Sequence, residues 1–168
     1  MTLSMHQASI PALVKSLTAL SAIIDKAVAH CDAAKIKPEV LIAYRLHPSM
    51  LPLSAQVQIS SDMAKNFASR VSGTEVPKFP DTETTFNELK ARIAKTIAHL
   101  NSFTPAQIDG TENKEVSFKV GPDERTFKGA GYLSTWVLPN FYFHVTAAYA
   151  ILRHCGVPIG KGDFLGAE

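Results

Sequence analysis

A chain of 168 residues, 46% hydrophobic and 19% charged, has the balance of one globular domain spanning residues 1–168, with apolar surface enough for one core. The formal charge is +2, and the 17 Lys and Arg are scattered with no run of like charge, which argues against nucleic acid or an anionic membrane as partner. Two cysteines, Cys31 and Cys155, read as reduced thiols of a cytoplasmic protein.

The first apolar segment is not expected to be an export signal. His6 precedes it, Lys15 interrupts it, and Asp25 and Lys26 follow. Instead, Ile10, Leu13, Val14, Leu17, Leu20, Ile24, Ala27 and Val28 recur at three and four residues, which predicts a helix ending near Ala33. Ser9 and Pro11 supply its start signal.

Pro38 to about Leu46 reads as a short helix, and the Tyr44–His47 stretch as a loop. Arg45 and His47 are candidate ligand-binding residues there. Arg45 reads equally well as a partner for a helix C-terminus. A second long helix carries Leu53, Val57, Ala64, Phe67 and Val71, and Gly73 lies just past its end. On it Gln56, Gln58 and Asp62 face either inward or to solvent, because Val57 and Ile59 point opposite ways.

Residues 72–81, with Pro77 and Pro80, read as an extended linker. Ten extended residues reach about 33–36 Å. That matches the roughly 30 Å length of a twenty-residue helix, so the next helix need not run antiparallel to the last. The third helix carries Phe86, Leu89, Ile93, Ile97 and Leu100, with Thr85 and Glu88 at capping-box spacing and His99 expected in solvent. Val116, Phe118 and Val120 then alternate with polar residues, and a turn at 121–124 leads to Thr126 and Phe127, which predicts a β-hairpin.

The fourth long helix is expected from Ser134 to His154, capped by Ser134 or Thr135, with a kink or a restart at Pro139. Pro139, Asn140 and His144 interrupt its apolar run, so no membrane span is expected. Phe164 and Leu165 suggest that the glycine-rich tail docks.

His144 shares a stripe with Val137, Phe141, Val145, Ala148, Leu152 and Cys155, so it faces inward, with Asn140 one turn before it. It is either an interior histidine with a hydrogen bond or a metal ligand or general base. A helical metal pair requires a second ligand three or four residues away, and Asn140 and Ala148 occupy the four-residue positions.

Three segments, residues 45–73, 79–96 and 138–166, resemble an uncharacterised domain-of-unknown-function family of the DinB/YfiT-like metalloenzyme superfamily. The resemblance implies an all-α fold: a four-helix bundle of up-down-down-up order with a long crossover between helices 2 and 3, plus a small hairpin between helices 3 and 4. It implies homodimers, and a divalent metal (Zn or Ni) held by one histidine of the second helix and a His-x-x-x-His pair on the fourth. Here His144 stands for one of these, Asn140 or Ala148 replaces its partner, and Gln58 or Gln56 replaces the third. What the resemblance then implies is a degenerate metal-site pocket lined by His144, Asn140, Gln58, Trp136 and Tyr142. Two functions follow. One is a small-molecule-binding homodimer. The other is a small-molecule enzyme, either with His144 as catalytic base and Asn140 and Gln58 orienting the substrate, or as a metal-dependent transferase or hydrolase.

Overall fold

The structure is a computed structural model and describes residues 3–167. Four long helices, α1 (Ile10–Ala34), α3 (Leu53–Ser72), α4 (Phe86–Asn101) and α7 (Leu138–His154), supply most of one apolar core. Between them lie α2 (Pro38–Ile42), α5 (Pro105–Ile108), the strands β1 (Glu115–Val120) and β2 (Asp123–Lys128), and the short α6 (Gly129–Gly131). A last helix, α8 (Lys161–Leu165), follows α7. α3 packs against both α4 and α7, while α1 packs against α4, α7 and α8. No described helix is long and apolar enough to cross a membrane.

Stripe positions supply the core: Leu13, Leu17, Leu20 and Ile24 from α1, Val57 and Phe67 from α3, Leu89 and Ile93 from α4, and Phe141 and Ile151 from α7, all fully buried. Each such side chain contributes roughly 1.5–3 kcal/mol by leaving water, an upper estimate. Local signals set the helix ends. Thr85 and Glu88 form the expected capping box at the start of α4. Gly73 ends α3 in the left-handed region, at φ 82°. Ser9 does not cap α1; its hydroxyl donates back to the Met5 carbonyl at 2.7 Å. The helix begun by Pro38 stops at Ile42, short of the expected Leu46.

The last long helix starts earlier than its sequence suggests. Helical structure begins at Gly129, widens into a π-helical turn over Tyr132–Val137, and resumes as α7 at Leu138. Pro139 explains the widening. It has no N–H for the carbonyl four residues before it, and its ring would crowd that carbonyl. Within the turn the Leu138 N–H reaches the Leu133 carbonyl. Ser134 and Thr135 are therefore not caps. Their hydroxyls donate to the Ala130 and Gly131 carbonyls at 2.9 and 2.7 Å. Gly129 is required by contact, since a Cβ there would lie 2.1 Å from the Thr111 carbonyl oxygen.

The hairpin pairs Val116 with Phe127 and Phe118 with Arg125. It lies on the helices through its aromatic side. Phe118 and Phe127 pack on Tyr132 and Trp136, and the Arg70 guanidinium sits 4.1 Å from the centre of the Phe118 ring. The tail docks in part: Asp163 bonds Lys26, Phe164 packs on Tyr149, and Leu165 stays exposed.

Candidate functional site

His144 projects from α7 toward α3, and its Nδ1 lies 2.7 Å from Gln56 Oε1. The Gln56 amide nitrogen already donates to the Leu51 carbonyl at 3.0 Å, so the amide oxygen is the acceptor and the imidazole carries its proton on Nδ1. No described residue bonds Nε2, which leaves a lone pair there. Burial pushes the His144 pKa below its ordinary value, which favours the neutral ring. Gln56 itself is buried, at 1% exposure, and His144 is half-buried. Phe143 meets the imidazole edge-on at 5.1 Å.

The other expected site residues do not join this pair. Asn140 donates to the Trp136 carbonyl at 2.7 Å, beside the widened turn of its own helix. Trp136 packs into the hairpin aromatics, and its indole N–H is buried without a partner among the described residues. Tyr142 is exposed on the outer face of α7. Arg45 donates to the Met50 carbonyl and His47 bonds Ser49, so both brace the loop between α2 and α3.

Gln58 requires the clearest correction. It is buried, but it turns to the opposite flank of α3 from Gln56 and donates to Glu83 at 2.9 Å. There the Arg92 guanidinium, 1% exposed, bonds Asp62 and Asp81 at 2.9 Å, Glu83 at 3.0 Å and the Pro80 carbonyl at 3.1 Å. Lys65 bonds Asp62 at 2.7 Å, and the Phe79 ring lies under Lys95 and Lys65. Burial works against the charged form of Glu83, but the bonds from Gln58 and Arg92 outweigh it and hold the carboxyl below its usual range. This cluster fastens the linker to α3 and α4. A signal for it was present in the chain: Arg92 stands on the α4 stripe, three residues after Leu89 and four before Thr96.

His99 is not solvated as expected. Its Nε2 pairs with Ser69 Oγ at 2.9 Å, and burial, with the nearby Lys65 charge, lowers its pKa. Ser69 is fully buried and so is out of reach as a nucleophile.

The donor set around His144 does not fit a divalent metal. Zinc and nickel sites draw on several imidazole, thiolate or carboxylate donors, and among the described residues no three His, Cys, Asp or Glu side chains converge. Gln56 Oε1 is occupied by His144, and Asn140 is turned to a backbone carbonyl.

Similarity to known proteins agrees with this architecture. Residues 5–165 match the family model of a domain of unknown function, DUF1993. The fold is similar to the crystal structure of a DinB family member protein from Shewanella denitrificans, with a TM-score of 0.91 and 36% identity over 97% of this chain and 92% of that one. No curated protein matches.

Proposed function

Because this chain belongs to the DUF1993 family, with the fold of a DinB family member, we propose that it is a small-molecule-binding homodimer whose site is built on His144 and Gln56. The observation that carries this reading is the fixed imidazole. Gln56 holds the Nδ1 proton, which leaves Nε2 as a hydrogen-bond acceptor on a half-buried, neutral ring. Such a nitrogen takes a hydrogen bond, or a proton, from an O–H, N–H or S–H group of a ligand. The four long helices are read as an up-down-down-up bundle. In support, α4 lies beside α3 although the linker from Gly73 to Thr85 is long enough to run the length of a helix. The free thiols of Cys31 and Cys155 suit a reducing, cytoplasmic setting.

A metal-dependent transferase or hydrolase is the second reading. One observation favours it: an imidazole whose Nδ1–H is held by an amide carbonyl is oriented as metal-bound histidines are. The donor set argues the other way.

The test is a thermal-shift and NMR screen of small polar ligands, thiols included, on wild type and His144→Ala, with elemental analysis of the purified protein. The proposal expects ligand shifts that vanish in the folded variant, and no stoichiometric metal. Zinc or nickel at one per chain would replace it with the metalloenzyme reading.

A further inference from the structure

We propose that two copies of this chain meet through the outer face of α7 and the loop before α3, and that the second copy closes the surface beside His144. The inference rests on the homodimer reading and adds its location and its consequence for the site. Its first ground is charge. Residues 129–152 include no Asp, Glu, Lys or Arg, although 19% of the chain is charged. Solvent-facing helices normally carry charge on the outer side. Here that side presents Ser134, Thr135, Pro139, Tyr142, Phe143 and Thr146, all exposed. Across a two-fold axis a patch meets itself, so a charge near the axis would meet its like. An uncharged face removes that repulsion.

The second ground is shape. Phe143 stands 58% exposed, a large apolar ring left in water. With Tyr142 it also forms one wall of an open groove of about 420 Å³, whose other walls are Leu46 and Met50 of the loop and Pro139, Thr146 and Ala150 of α7. Protruding ring and hollow thus lie on one face, as a self-complementary contact requires. Leu46, Leu51 and Tyr142 are also exposed there, and interface centres are rich in such aromatic and apolar side chains. From Thr135 to Ala150 the face is about 22 Å long at the helical rise. That length fits the apolar centre of an interface burying about 800 Å² per partner, with its usual polar rim.

The third ground is continuity with the His144 site. Leu51 accepts from Gln56, Gln56 accepts from His144, and Phe143 touches the imidazole edge. A second copy seated on Phe143 and the loop at Leu51 therefore lies beside the His144–Gln56 pair.

The test uses the full chain. Sedimentation velocity from about 1 to 100 µM brackets the affinities expected of such contacts. It is run on wild type, Phe143→Lys, Thr146→Glu, and Val120→Lys on the hairpin as control. Circular dichroism reports whether each is folded, and Phe143→Ser serves if the lysine variant is not. The expected result is a wild-type dimer, unchanged by Val120→Lys. Its dissociation constant rises roughly a hundredfold in the two α7 variants, since each dimer loses two central contacts. His144 should also react with diethyl pyrocarbonate several-fold more slowly in wild type than in Thr146→Glu, which leaves the Phe143 ring beside the imidazole in place. A monomeric wild type overturns this inference together with the homodimer reading. A dimer that survives both α7 variants overturns this surface alone. Equal His144 reactivity overturns the claim that the second copy covers the site.

Discussion

Arg92 of α4 reaches Asp62 of α3 across 2.9 Å while its guanidinium is almost wholly removed from water. With Asp81, Glu83 and the Pro80 carbonyl also bonded to it, one side chain ties two helices and the linker together. Arg92→Met leaves Glu83 without its cation and Asp62 with Lys65 alone, and breaking such a buried pair costs about 3 kcal/mol, the low end for partly exposed carboxylates. Asp81 is 59% exposed, so Asp81→Asn should cost under about 1 kcal/mol. Urea unfolding of both variants measures the contrast, and equal losses would contradict the burial argument.

Gln56 decides which nitrogen of His144 holds the proton. Gln56→Leu removes the acceptor for Nδ1–H and the donor for the Leu51 carbonyl. Stability is expected to fall by about 1–3 kcal/mol, the penalty for orphaned buried polar groups. Nitrogen-15 NMR of the imidazole should show the Nδ1–H tautomer in wild type and a mixture in the variant. A wild-type signal from the Nε2–H tautomer would refute the assignment.

Low pH should weaken the fold through the two depressed histidines. The pKa values of His144 and His99 lie below the ordinary 6.5 in the folded protein. Between those folded values and 6.5 the unfolded chain binds more protons, so stability rises with pH and levels off above about 6.5. Their contribution is lost as pH falls below 6.5. Glu83 acts lower on the scale: its depressed pKa contributes stability above its ordinary 4.5, which disappears as pH falls through the folded value. Melting temperature should drop from pH 7 to 5 in wild type and drop less in His144→Gln. A flat wild-type profile over that window would rule out the depressed histidines.

Gly129→Ala tests the close approach of two backbones. The new Cβ would fall 2.1 Å from the Thr111 oxygen, and rigid main chain must shift to admit it. A loss of about 1–3 kcal/mol is expected, as for overpacking elsewhere. Gly131→Ala, where no described atom beyond its own stretch of helix lies within 4 Å, should be nearly neutral or stabilising. Thermal melts of the pair check this, and similar behaviour would refute the contact.

Much of the fold was legible in the chain. The stripes of α1, α3 and α4 depend only on helical periodicity and on burial of one face, and the α4 capping box is a contact between near neighbours. The hairpin was legible because alternation and turn chemistry are local. The π-helical turn was not, since Pro139 predicts a disturbance without saying whether the helix bends, breaks or widens. His99 departs from its expected place in solvent for a related reason: it lies off the main stripe, yet Ser69 of α3 and the Phe103 ring enclose it from outside its own helix.

The candidate site divides along the same line. Helix periodicity alone turned His144 inward, while the placing of an α3 amide near it, rather than another histidine, came from the family resemblance, since Gln56 and Gln58 read equally as solvent-facing. Which amide was left open, because residues two apart on a helix differ by roughly 200° in direction. With Val57 turned into the core, Gln56 falls to one flank and Gln58 to the other. Only the placement of α7 on the first flank and α4 on the second gave Gln56 to His144 and Gln58 to Glu83. That rotation of α3 is set by packing against α4 and α7 at once, a constraint that no single helix carries in its own residue order.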